Sequence, residues 1–169
     1  MAKGQNHHEK QVERVGCWVI TVSDTRTPET DESGRSIQEG LEAHGHRVLL
    51  YRIIKDEPSQ IRRLLEEARG DERVQAVILT GGTGISSRDT TYEVVHEFID
   101  KELPGFGELF RWLSFQEVGP RAILSRATAG AMGGKLLFSL PGSSRAVTMA
   151  LKELILPLLG HAIYELGKC

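Results

Sequence analysis

The chain has 169 residues, enough for one hydrophobic core of ordinary size that needs no disulfides or structural metal to hold it together. Its 21 Lys and Arg against 23 Asp and Glu leave a net charge of −2, which excludes a broad positive field for nucleic acid or an anionic membrane, so any anionic ligand must be bound locally. Of the two cysteines, Cys17 sits inside an apolar run and Cys169 ends the chain, a pattern that fits a reducing, cytoplasmic setting rather than a disulfide framework or a metal cluster.

Residues 1–15 are polar and lack the apolar stretch of a signal peptide, so they read as a mobile lead-in with His7 and His8 in solvent. Residues 16–169 read as a single domain, and no apolar run approaches the ~20 residues of a membrane span.

The first strand is expected over Cys17–Ser23 (CWVITVS). A helix follows with Ile37 and Leu41 four apart and Gly45 as its stop, and then a second strand over Arg47–Ile54. Ile61, Leu64, Leu65 and Ala68 fall on one helical face before a third strand, Gln75–Thr80; Val94, Val95, Phe98 and Ile99 mark another helix. The Pro- and Gly-broken segment LPGFGELFRWLSFQEVGP predicts only a short helix near Glu108–Ser114, and Lys135–Leu140 (KLLFSL) a further strand. A long closing helix carries Ala146, Val147, Ala150, Leu151, Leu154, Ile155 and Leu158, with Pro157 expected to bend or shorten it.

Strands alternating with helices predict an α/β fold with a mostly parallel central sheet, whose strands end at one edge. Small or acidic residues follow each apolar run: SDTRT, KDEPS, TGGTG and LPGSS. Ser23, Asp24, Asp56, Gly81 to Gly84, Asp89, Pro141 and Gly142 would therefore converge at the rim where open α/β folds bind ligands. Local readings compete with this one. Asp56 is also placed as a helix N-cap, and Thr90 with Glu93 forms a candidate capping box that leaves Asp89 just outside its helix.

The glycine-rich VILTGGTGISSRDTTYEVV resembles a phosphate loop but matches neither familiar motif. Counting from Gly81, Ser86 stands where a Walker A loop needs glycine, and no Lys-Ser/Thr follows. In the dinucleotide pattern that begins at Gly82 and Gly84, Ser87 stands at the third glycine. What remains is a run of sterically open N–H donors followed by Arg88 and Asp89. Magnesium prefers one or two carboxylates plus water and substrate phosphate, so Asp89 with Asp56 makes a partial ligand set, in which a metal supplies the charge of the missing lysine.

The strings TVSDTR, LTGGTGISSRDTT, PGFGELFRWLSF, ILSRATAG and LPGSSRA, in this order over about residues 16–166, together resemble the MogA/MoaB family of molybdopterin adenylyltransferases. PGFGE and RWLSFQE lean toward the MoaB branch, and SSRD matches the arrangement of active members. The resemblance implies a three-layer α/β/α sandwich and a homotrimer or dimer of trimers. It also implies magnesium-dependent transfer of AMP from ATP to the terminal phosphate of molybdopterin, with hand-over to a molybdenum-inserting enzyme. By motif, Asp56 and Asp89 match the acids required for activity and for magnesium. Gly81, Gly82, Thr83, Gly84, Ser139, Pro141, Gly142 and Ser143 match the nucleotide side, while Ser23, Asp31, Ser33, Gly34, Ser114 and Ser125 match the molybdopterin side. A non-catalytic molybdopterin carrier or a scaffold of the same fold is the alternative.

Overall fold

The computed structural model describes residues 10–168; residues 1–9 of the expected lead-in, His7 and His8 among them, and Cys169 lie outside the described residues. Residues 10–15 are docked. The Val12 N–H donates to the Gly160 carbonyl at 2.9 Å, and Val15 is fully buried. The packed chain thus begins ahead of residue 16, because these two valines have apolar surface to cover.

Six strands form one sheet: β1 (Gly16–Val22), β2 (Arg47–Ile54), β3 (Ala76–Thr80), β4 (Lys101–Glu102), β5 (Thr128–Met132) and β6 (Lys135–Leu140). Their order is β2-β1-β3-β6-β5-β4. β1 runs parallel to both β2 and β3, and β3 runs parallel to β6. β5 is antiparallel to β6 and β4 to β5. The helices are α1 (Glu32–Ala43), α2 (Pro58–Gly70), α3 (Thr91–Phe98), α4 (Pro104–Val118), α5 (Ser144–Ala150) and α6 (Leu156–Leu166).

Side chains alternate across a strand, and in β1 this sends Cys17 and Val19 to one face and Trp18, Ile20 and Val22 to the other. The first face packs under α1, α4, α5 and α6, through Ile37, Leu41, Phe110, Val147 and Leu159 among others. The second packs under α2 and α3, through Ile61, Leu65, Val95 and Phe98. The result is the expected α/β/α sandwich. Burial pushes the Cys17 thiol pKa up to about 12, so this cysteine is an inert packing group.

Several elements differ from expectation, among them the two-residue β4, whose charged Lys101–Glu102 pair gives no apolar strand signal. β5 was not expected, because Thr-Ala-Gly-Ala-Met lacks a β-branched run. It forms because Gly133 (φ 54°) and Gly134 (φ 77°) close a two-residue hairpin that pairs Met132 with Lys135. α4 spans 15 residues rather than one short stretch, since Pro104 occupies its first turn, where a missing N–H costs nothing. Within it, Gly107 gives close approach: a Cβ there would lie 2.8 Å from the Ala127 carbonyl oxygen. The closing segment is α5, a five-residue π turn at Leu151–Ile155, and α6. The wide turn precedes Pro157, whose ring would clash with a regular preceding turn. Ser144–Leu166 is long and apolar enough, by length and composition, to cross a membrane. Here its Val147, Ala150, Leu151, Ile155, Leu159 and Ile163 belong to the first core.

Candidate functional site

The chain leaves β1 for β2 on one side and returns to β3 on the other, so the loops after β1 and β3 part above the sheet, the place where such folds open a crevice. A cavity of about 500 Å³ lies there. It is lined from β1 and its loop by Ser23 and Arg26, from the first turn of α1 by Ser33, from β3 and its loop by Thr80 to Gly84 and Asp89, and after β6 by Pro141 and Gly142; Ser125 joins them from just after the 3-10 turn Gly119–Leu124.

Hydrogen bonds lock these loops together. The Thr80 hydroxyl donates to the Pro141 carbonyl (2.8 Å) and the Gly81 N–H to the Leu140 carbonyl (2.9 Å). The Gly142 carbonyl accepts from the Ser33 hydroxyl at 2.9 Å and from an Arg26 Nη2 at 3.0 Å. Arg126 spans the far side: its guanidinium donates to the Thr83 and Gly84 carbonyls (3.3 and 2.6 Å), pairs with Glu93, and lies over the Tyr92 ring. The loop's carbonyls are thereby turned to a cation, while the N–H groups of Gly82, Thr83 and Gly84 donate to no acceptor among the described residues. Such an array of free donors is suited to anionic oxygens.

The two aspartates border this loop at different glycines. Asp56 Oδ1 accepts from the Thr90 N–H (3.2 Å) and hydroxyl (2.6 Å). A Cβ on Gly82 would lie 2.5 Å from Asp56 Oδ2 and 2.2 Å from Thr91 Oγ1, a buried hydroxyl with no partner. Gly82 also has φ 66°, so only glycine fits there without strain. Asp89 Oδ2 accepts from the Ser86 N–H at 2.9 Å, and its carboxylate lies against Gly84. Of the competing local readings the Asp56 cap fails, and Thr90 does stand at the N-cap of α3 with Asp89 just outside it, but the Thr90–Glu93 box does not form. The N-cap of α2 is Glu57, not Asp56; Thr90 caps α3 without a side-chain hydrogen bond, because its hydroxyl goes to Asp56 and Glu93 goes to Arg126.

Asp56 Oδ2 and Asp89 Oδ1 accept no hydrogen bond from the described residues. Two carboxylate oxygens beside open glycine backbone fit the donor preference of magnesium, which completes its shell with water and substrate phosphate. Among the described residues no group of three or more His, Cys, Asp or Glu gathers as a metal cage.

The remaining expected residues separate. Ser23, Ser33, Gly81, Gly82, Thr83, Gly84, Asp89, Ser125, Pro141 and Gly142 line the cavity. Asp56 stands behind Gly82, outside the lining. Ser114 and Ser143 line a second, more apolar cavity of about 300 Å³ with Phe110 and Met149, which shares Ser125 and Pro141 with the first. Direct ligand contact does not suit three others. Ser139 is fully buried inside β6. Asp31 is fully buried: its carboxylate accepts from Thr21 and Tyr51 hydroxyls (2.6 Å each) and from the Gly34 N–H (2.9 Å), which caps α1. Gly34 is packed against that same carboxylate. Burial works to raise the Asp31 pKa, yet the bonds from Thr21, Tyr51 and Gly34 and the charge of Arg26 outweigh it, holding the carboxyl below the usual range. Asp31 and Gly34 thus sit beneath the rim, fixing the start of α1.

Sequence reasoning missed Thr21, Val22, Arg26, Thr80 and Leu124 in the lining, and Thr90 as the residue that holds Asp56. Arg26 stands in the TVSDTR string and was discoverable as its one cation; Leu124 stands in ILSRATAG but, as an apolar residue, carries no signal of its own. Arg88, which follows the run of open donors, pairs with Asp24, whose pKa is lowered by that hydrogen bond first and by the Asp56 N–H second.

A family model described as "Probable molybdopterin binding domain" matches residues 18–161. Molybdenum cofactor biosynthesis protein B of Halalkalibacterium halodurans is 53% identical over 165 residues, covering 97% of each chain. A crystal structure of a molybdenum cofactor biosynthesis protein B superposes with TM-score 0.87 at 49% identity, over 90% of this chain and 96% of that one. The tungsten cofactor synthesizing protein MoaB from Pyrococcus furiosus superposes with TM-score 0.83 at 36% identity, over 92% and 99%. Matched along nearly its whole length in sequence and in fold, the chain belongs to the MogA/MoaB family of molybdenum cofactor biosynthesis proteins.

Proposed function

We propose that this member of the family transfers AMP from ATP to the terminal phosphate of molybdopterin, giving adenylylated molybdopterin and pyrophosphate. The observation that carries the reading is the glycine loop: free N–H donors at Gly82, Thr83 and Gly84, bordered by Asp56 and Asp89, on a cavity that shares Ser125 and Pro141 with a more apolar neighbour. The first compartment suits a nucleotide phosphate, and the second, with Phe110 and Met149, suits a flat pterin.

In the reaction an oxygen of the molybdopterin phosphate forms a bond to the α-phosphorus of ATP as the bond from that phosphorus to the bridging pyrophosphate oxygen breaks. The attacking oxygen is already ionised, so no base is required. The chain's work is positioning and electrostatic: the backbone donors hold the triphosphate, and the Thr80, Gly81 and Arg126 ties keep their loop in place. Asp56 and Asp89 would hold Mg²⁺, which supplies positive charge against the phosphate oxygens.

A carrier that binds molybdopterin or its adenylate for a molybdenum-inserting enzyme would use the same cavities. Incubation with ATP, Mg²⁺ and molybdopterin, followed for pyrophosphate and the adenylylated product, separates the two. The assembly in this reading is a homotrimer or a pair of trimers, supported by the apolar outer stripe of α4, with Leu109, Trp112 and Phe115 exposed at 53%, 59% and 55%.

A further inference from the structure

We propose that Arg26 is the phosphate-binding cation of the rim cavity, filling the role of the lysine that the glycine loop lacks; this rests on the phosphate-transfer reading above. Among the described residues that line the cavity, Arg26 is the one cation and Asp89 the one anion. The two arginines nearest the glycine loop in sequence or space are already engaged. Arg88 is paired with Asp24, and Arg126 with Glu93 and two loop carbonyls.

Arg26 is differently placed. One Nη2–H donates to the Gly142 carbonyl at 3.0 Å, and Nη1 lies 3.5 Å from both Ser33 Oγ and Asp31 Oδ1. The Asp31 contact is long, and that carboxylate is occupied at short range by Thr21, Tyr51 and the Gly34 N–H. A guanidinium carries five N–H donors in a rigid fork, so the bonds that fix this one leave the Nε–H and further Nη hydrogens without a protein acceptor among the described residues. The side chain keeps 31% of its surface exposed, on the cavity. A cation fixed in position on one edge and unspent on the other, facing a loop of free N–H donors across about 500 Å³, is the arrangement that recognises a phosphate monoester. The backbone donors and the guanidinium then approach the phosphate from different strands, β3 and β1, so the charge that a Walker loop carries on its own lysine comes here from the loop after the first strand.

The same geometry would also arise if Arg26 only tied the β1 loop to Gly142. Binding distinguishes the two roles. Affinities of the intact protein and of Arg26→Gln are measured for AMP against adenosine, and in a second arm for molybdopterin against its dephosphorylated form. The expected result is a loss of about tenfold or more for the phosphorylated member of at least one pair, with its unphosphorylated partner within about twofold. The arm that responds names which phosphate the guanidinium holds. Equal losses within each pair, or no loss in either arm, overturn the proposal. A wild-type protein that binds none of the four overturns the transfer reading itself, a result seen before any variant is made. Arg26→Lys keeps the charge without the fork and should retain part of the discrimination; it serves as the test should thermal melting show that the glutamine variant does not fold.

Discussion

Asp89 and Asp56 touch different parts of one loop, and the structure gives them unequal positions. Asp89 lines the cavity and spends one oxygen on the Ser86 N–H. Asp56 lies behind Gly82, with one oxygen held by Thr90. Replacing Asp89 by Asn keeps its size and its bond to the loop while removing the charge. The expected outcome for Asp89→Asn is a fall in AMP transfer of about a hundredfold or more, with little change in nucleotide affinity, measured by pyrophosphate release and by equilibrium binding. Undiminished turnover would remove Asp89 from the mechanism. The placement of both aspartates beside the glycine loop was legible in the sequence from their position after strands, but the competing capping roles were not excluded there. What decides the matter is that Thr90 and Glu93 have other partners, Asp56 and Arg126, which are 34 and 33 residues away in the chain.

At the scale of an element, the start of α1 shows how a buried charge is made tolerable. Asp31 accepts three short hydrogen bonds, from β1, from β2 and from its own helix. Tyr51 answers in kind, its hydroxyl pKa raised by burial first and by the bond to Asp31 second. Because the folded pKa of Asp31 is depressed, its contribution is complete above the unfolded value near 3.9 and disappears as pH falls through the folded value. Asp31→Asn should therefore lose about 2–4 kcal/mol at neutral pH and noticeably less near pH 3, compared by urea unfolding. An equal deficit at both pH values would contradict the account. Two of the elements that escaped the sequence share one cause. β5 and the first turn of α4 rest on glycines and a proline whose local preference points to a loop, and only the β6 hairpin and the close approach of Gly107 to Ala127 make them regular. The strands β1, β3 and β6 were legible because their apolar runs serve two cores at once.

Across the whole molecule, two cores on either side of one sheet bring the ends of β1, β3 and β6 to a single rim. The direction of four parallel strands does this, which is why residues 23, 81–84, 89, 141 and 142 meet although they are spread over most of the chain. The outer surface is less complete. On α4, Phe106, Phe110 and Ser114 face inward while Leu109, Trp112 and Phe115 face out, and Ile123 beyond them is 76% exposed. An apolar stripe of this kind accords with assembly of copies of the chain. Trp112→Glu should sediment as a monomer at concentrations where the wild type sediments as a trimer or hexamer. A monomeric wild type would contradict that assembly.

The most direct measurement is a single incubation of the protein with ATP, Mg²⁺ and molybdopterin. If the rim brings nucleotide and pterin phosphate together as described, pyrophosphate and adenylylated molybdopterin appear in equal amounts, and neither forms when any one of the three components is left out. Tight binding of molybdopterin with no pyrophosphate released would contradict the account and leave the protein a carrier.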